Sequence, residues 1–429
     1  MRTQPIAPLC LALLLPSAAA GQVLVVDDGG GADFTAIQDA VAAAAEGGTV
    51  LVKAGSYDGV AIDGKALTVV AEAGQAVQLG GAVTVTNLAA GQTVVLHGLA
   101  ASSAPKKLEA RLEITDCAGD VWVEDCAFSA AAGFELATSP ISPEPVAVVR
   151  NSDRVSLTRC TLKGTDGLAG GFSVVHAGGA LLAVDSDVAL YECDLQGGRG
   201  SDAFVNPVDL VFPGGQGGHG AEVQGGALFV SGSSVRGGDG GSGLSFVWSC
   251  PAAGDGGDGL LLASGAPQAT SLDTLLAGGA AGPSPPSGCS PPGSPGQAVN
   301  AQSGAHAPLP GAARALEVGS PVREGELAGV EFSGEPGDLV VALVGSAPDH
   351  TLSLPFSGVF LAQLGLVSAL GTADAAGSLA VQIPIPPFGS PTLEAADFFV
   401  QVVALGAVGG QLQAVLGAPS AMTKLDDQF

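Results

Sequence analysis

The sequence predicts an all-β chain: a parallel β-solenoid closed by an N-terminal helix, followed by an antiparallel β-sandwich. Three observations predict it. Short apolar strands return with a common ending every 33 to 41 residues from about 126 to 274. A turn held by Asn or Asp recurs at a fixed place beside them. After about residue 311 the glycine-rich repeat gives way to longer alternating strands.

The first residues, MRTQPIAPLCLALLLPSAAA (1–20), join Arg2 to an apolar run ending in Ala18-Ala19-Ala20. This is the pattern of a secretory signal peptide cleaved near Ala20, so the protein is expected to be secreted or held at the cell surface. Of seven cysteines, Cys10 leaves with the signal and six remain, an even number that permits disulfides. The formal charge of -26 comes from a chain with only 13% charged residues. Nucleic acid and anionic lipid are therefore excluded as partners, because both need basic patches. Past the signal no apolar run reaches the roughly 20 residues that span a bilayer, so the mature chain is expected to carry no membrane span.

In DFTAIQDAVAAAAEGG (33–48), Ile37, Val41 and Ala44 share one helical face and Gly47-Gly48 ends the helix. Asp33 or Thr35 is the expected N-cap. The helix would cover the apolar end and unpaired strand edges of the first coil.

The repeat endings VEDCAF (123–128), LTRCTL (157–162), LYECDL (190–195), VSGSSV (230–235) and SLDTLL (271–276) place Cys126, Cys160, Cys193, Ser233 and Thr274 at one position. The cysteines read first as a buried stack of thiols and second as a disulfide between coils. The turn is held by Asn87, Asp116, Asn151 and Asp185, residues that tolerate a left-handed backbone. Glycine-rich insertions follow the third strand: GGRGSD (197–202), GGQGGHG (214–220), GGDGGSG (237–243) and GDGGDG (254–259). They are expected to project from one side of the rod as binding loops.

The order VLVVDDGGGADFTAIQDAV, GGTVLVKAGSYDG and ALTVVAEAG within 23–74 resembles the start of pectin methylesterases, which belong to the pectin-lyase-like, right-handed parallel β-helix superfamily. The resemblance implies that fold over 21–310. It does not extend to the chemistry. Gly59 stands where the family's turn signature has glutamate, and the later motifs carrying two aspartates and an arginine have no counterparts.

Gly218-His219-Gly220 matches the Gly-His-Gly of pectin hydrolases on the same fold, but the separated carboxylates that inverting hydrolysis requires do not accompany it. Asp239, Asp255 and Asp258 are hard oxygen ligands in loops, a calcium set on chemistry; solubilising charge is the stronger reading. No other cofactor is expected. Cys250 and Cys289, in WSCPAAGDGG and PSGCSPPGS, are predicted to form a disulfide stabilising the fold by about 3 to 4 kcal/mol.

Six strand candidates between 326 and 417 define the expected β-sandwich module, 311–429. It looks like a C-terminal module of exported bacterial repeat proteins, with capping of the rod or surface attachment as its expected roles. The leading functional expectation is a non-catalytic protein that binds an extracellular polysaccharide or cell-surface component, or is structural. The alternative is a polysaccharide lyase, glycoside hydrolase or pectinesterase-like enzyme with an acidic site in the loops.

Overall fold

A computed structural model describes residues 21–429 except 103–110, 131–143, 171–172, 175, 206–209, 247, 286–287, 354–355, 364, 391 and 409–410. The expected signal peptide, 1–20, lies outside the described residues. The chain is nearly all-β, with a large curled parallel sheet and, among the described residues, one α-helix, Ile37–Ala43.

Successive turns of the chain add short strands to three parallel stacks. One runs from Val23–Val26 through Gly48–Val52, Leu67–Ala71, Thr93–His97, Asp120–Glu124 and Val155–Thr158. A second contains Val60–Asp63, Val83–Thr86, Leu112–Thr115 and Ala147–Arg150. Leu181–Tyr191 and Ala221–Ser231 are long enough to join both stacks, which curls the sheet. The third runs from Gly55–Tyr57 to Leu275–Ala277.

Register places like residues in line. Val85, Ile114, Val149, Ala183 and Val223 pair in succession and are fully buried, each larger aliphatic contributing about 1.5–3 kcal/mol on burial. The turn residues Asn87, Asp116, Asn151 and Asp185 have φ of 56°, 56°, 49° and 46°. Asn87 Nδ2 donates to Asp63 Oδ1 at 2.7 Å and Asn151 Nδ2 to Asp116 Oδ1 at 2.9 Å, so this corner is laced from coil to coil. A second left-handed corner, at Asp125, Arg159, Glu192 and Asp273, turns Cys126, Cys160, Cys193 and Thr274 inward. The three cysteines are buried free thiols, and burial pushes Cys126 up to about 12.

The helix buries Ile37 and Val41, and its C-cap Ala44, in the core, and it ends at Ala43, before the expected Gly47-Gly48. Neither expected cap forms. The N-cap position is Ala36 with no side-chain bond, because Asp33 Oδ2 accepts Val25 N at 2.9 Å instead. Gln38 meets the neighbouring strand edge, accepting Ala61 N at 2.7 Å and donating to Ala61 O at 3.2 Å.

From Ala315 the pairing becomes almost entirely antiparallel. Ala315–Val318, Leu327–Ser333 and Ser378–Pro384 form one sheet; Leu366–Thr372, Leu339–Gly345, Ala395–Val408, Gln411–Leu425 and Val322–Arg323 form another. Leu316, Phe332, Val340, Phe398 and Val402 fill a core drawn from both. This module lies along the first stack rather than over its end. Val23, Leu51 and Val70 pack with Ala395 and Leu425, while Trp122, Tyr191, Phe229 and Leu272 pack with Phe399, Val359 and Ala418.

Candidate functional site

The glycine-rich insertions do not project as separate loops. Their amides are bonded sideways into one another: Gly198 N to Gly178 O, Gly218 N to Gly198 O, Gly238 N to Gly218 O, Gly257 N to Gly238 O and Gly279 N to Gly257 O, all at 2.8–2.9 Å. A second row links Gly215 to Ser201, Gly241 to Gly215, Gly254 to Gly241 and Gly282 to Gly254 at 2.7–3.0 Å. In GGRGSD each Gly-Gly or Gly-Ser pair is buried and each third residue, Arg199 and Asp202, is exposed, the three-residue period of an extended polyproline-II-like segment. Glycine is required by contact. A Cβ on Gly198, Gly238, Gly257 or Gly279 would lie 1.8–2.0 Å from a neighbouring carbonyl oxygen.

This array also accounts for the aspartates read as calcium ligands. Asp239 Oδ1 accepts Ala280 N at 2.7 Å, Asp255 Oδ1 accepts Ser294 N at 2.6 Å, and Asp258 Oδ1 accepts Gln297 N at 2.7 Å. Asp258 Oδ2 also accepts Asn300 Nδ2 at 2.8 Å. Asp166 and Asp202 do the same for Arg199 N and Ser242 N, at 2.8 and 2.9 Å. Each carboxylate fastens one insertion to the next, and the three do not form a metal-ligand group among the described residues. The signal was present as spacing, since donor and acceptor lie 33 to 41 residues apart, one coil. Cys250 and Cys289 form the predicted disulfide, with Cα atoms 5.9 Å apart. His219 belongs to the array as well, its Nδ1 accepting Asp258 N at 3.0 Å.

Gly59, the glutamate position of the resembling esterases, is closed by the next coil: a Cβ there would lie 2.4 Å from Ala82 O. The corner is built around a glycine.

The one described group with metal-ligand atoms within 4.8 Å of each other is His97, Glu124 and Asp125, a cluster sequence reading did not assemble. Its carboxylates and His97 Nε2 are already matched, and of the three side chains only the buried His97 Nδ1 lacks a partner. Glu124, fully buried, accepts Trp122 Nε1 at 2.7 Å, Ser420 Oγ and Ala421 N at 2.6 Å each, and the Arg159 guanidinium. Asp125 accepts Arg159 Nε at 2.8 Å and lies 3.3 Å from His97 Nε2. Arg159 Nη1 continues to Leu316 O at 2.8 Å. A cation here would have to displace a guanidinium and an indole, so the residues fit an ion-pair bridge between the two parts of the chain better than a metal.

The bridge is pH-sensitive. Burial lowers the His97 pKa, but the Asp125 hydrogen bond and the Glu124 and Asp125 charges outweigh it and raise it overall. Asp125 is driven up by burial yet held at about 2 by its bonds to His97 and Arg159. Nearby Asp397, buried against Thr68 and Thr423, is raised by burial. A raised His97 stabilises fully below its unfolded value and loses that contribution as pH rises through the folded one. The lowered Asp125 contributes above its unfolded value and loses it toward about 2. Raised Asp397 acts like His97. The contribution of His97 is read as a difference in thermal unfolding: wild type should exceed His97→Gln in stability by an amount largest below about pH 6 and shrinking toward about pH 8.5, whereas His350, held at about 4 by burial, contributes in the opposite sense to both proteins. A difference unchanged between about pH 5 and 8.5 would contradict the assignment.

Asp397 also lines a groove of about 300 Å³ with Thr68, Thr93 and Phe399, where the module meets the first stack. It is a single carboxyl, and both its oxygens accept threonine hydroxyls.

No protein-family model matches the chain, and no curated protein matches it in sequence. No helix among the described residues is long and apolar enough to cross a membrane.

Proposed function

We propose that the protein is an exported right-handed parallel β-helix, related to the pectin-lyase-like superfamily and carrying a C-terminal β-sandwich, that recognises an extracellular glycan without cleaving it. The carrying observation is the glycine array, in which loop carboxylates that could have served acid–base chemistry or calcium are tied to backbone amides one coil away. Such an array is a rigid framework. Rigid loops on one side of a solenoid suit recognition, because little ordering entropy is lost on binding. The leader 1–20 supports export, and the strand order of the three parallel stacks supports the helix.

The test is a screen of purified protein against neutral and acidic polysaccharides, with and without calcium, reading retention and released products together. Retention without new reducing ends or unsaturated products is expected. Depolymerisation would replace this reading with the enzyme; absence of both binding and products would leave a purely structural rod.

A further inference from the structure

We infer that the distal end of the glycine array, centred on Trp248, is where the protein meets its ligand, and that the ligand is the face of an uncharged sugar ring. This rests on the glycan reading above and adds the place and the chemistry.

The insertions run outward and return, and their tips stand side by side. Ala203 N donates to Ser242 O at 2.8 Å, Gly214 N to Ala252 O at 2.8 Å and Gly243 N to Pro283 O at 3.0 Å, so three excursions reach their outer ends at one level. The second and third tips are then joined by the Cys250–Cys289 disulfide. In the second, Phe246 N donates to Ser249 O at 3.0 Å and Ser249 N to Phe246 O at 3.2 Å, closing a turn that carries Trp248. In the first, Phe204 and Phe212 stack with centroids 4.8 Å apart.

Among the described residues the tips carry the exposed aromatic side chains, while the large apolar residues exposed elsewhere, such as Leu275, Leu327 and Val367, are aliphatic. Trp248 is 89% exposed, whereas Trp122 is 1% exposed; Leu210 and Phe246 are 50% and 37% exposed. Scattered exposed apolar residues are ordinary, but several gathered on braced turns mark an interaction surface. Charge selects the partner. The stretches LSFVWSCPA (244–252) and SPPSGCSP (284–291) contain no ionisable group except the bridged cysteines, and the first tip, SDAFVNPVDLVFP (201–213), adds only Asp202 and Asp209, in a chain of net charge -26. An anionic partner finds no cation in these stretches, and an acidic polymer or anionic bilayer would be repelled by the whole molecule. An exposed indole face in an uncharged turn matches a pyranose, whose C–H face is apolar and whose edge is hydroxylated. Fixing the turn by disulfide and array keeps that face presented before binding.

The test compares wild type, Trp248→Ala and Trp248→Phe on soluble xylan, mixed-linkage β-glucan, mannan and polygalacturonate, by affinity electrophoresis and tryptophan emission. Trp248 is solvent-exposed, so the variants should unfold at the wild-type temperature. Binding to at least one neutral polymer is expected, with a loss of tenfold or more in Trp248→Ala, partial recovery in Trp248→Phe, and an emission change absent from both variants. Neutral-glycan binding unchanged in Trp248→Ala, or binding to polygalacturonate alone, would overturn the tip assignment and leave glycan recognition standing. No glycan binding by the wild type would overturn both. Trp248-dependent binding to phosphatidylcholine vesicles, or Trp248-dependent self-association, in place of glycan binding would likewise overturn it and name the other occupant.

Discussion

Gly238→Ala is expected to break the glycine array and destabilise the protein by about 3 kcal/mol or more, at the upper end of overpacking costs. The new Cβ would sit 1.8 Å from Gly198 O, with Gly197 O 2.7 Å away. Both obstacles are backbone and neither can rotate aside. Relief requires separating two insertions, and Gly238 is bonded on both sides, donating to Gly218 O and accepting from Gly257 N at 2.8 Å each. Gly389→Ala is the control, since nothing lies within 4 Å of its Cβ position, and should stay within about 0.5 kcal/mol of wild type. Urea unfolding gives the energies, and limited proteolysis between 197 and 297 locates the damage. Equal stability of the two variants would mean that the insertions do not pack as one array.

Arg159→Met should cost about 3–5 kcal/mol, the usual consequence of removing one partner from a buried ion pair. Glu124 would keep its bonds from Trp122, Ser420 and Ala421 but lose the guanidinium paired with it in a fully buried position. Asp125 and the Leu316 carbonyl would lose their donor together. Adding Glu124→Gln should recover a large part of that loss, because a neutral amide no longer carries an unbalanced charge. Hydrogen exchange at Ala421 separates docking from global folding: its amide should exchange faster in Arg159→Met and near the wild-type rate in the double variant. A cost under about 1 kcal/mol would assign the bridge a peripheral role.

Much of the parallel part was legible because its determinants are local and repeated. Asn87, Asp116, Asn151 and Asp185 announce a left-handed corner, which the backbone adopts, since only short polar side chains and glycine tolerate it cheaply. Arg159 and Glu192 hold the second such corner, which the sequence does not announce, because neither residue type favours that conformation and packing imposes it. In the C-terminal module the apolar stretch 358–371 divides into Gly358–Ala362 and Leu366–Thr372, which join different sheets. Hydrophobicity alone does not mark that break.

The loop aspartates take their roles from neighbours one coil away. Asp239, Asp255 and Asp258 look like loop charge or metal ligands in any short window, and only the coil spacing brings Ala280, Ser294 and Gln297 amides to them. The strand repeat, the covering helix, the pairing of Cys250 with Cys289 and the change of pattern after about residue 311 all follow from local pattern or composition. Tertiary structure alone decided that the glycine insertions pack into each other, that the module lies along the first stack, and that Glu124 is buried against Ser420, 296 residues away. The last two depend on packing and charge pairs across long separations that leave no periodic trace in the chain, while the glycine packing shows only as a coil-length spacing that no short window contains.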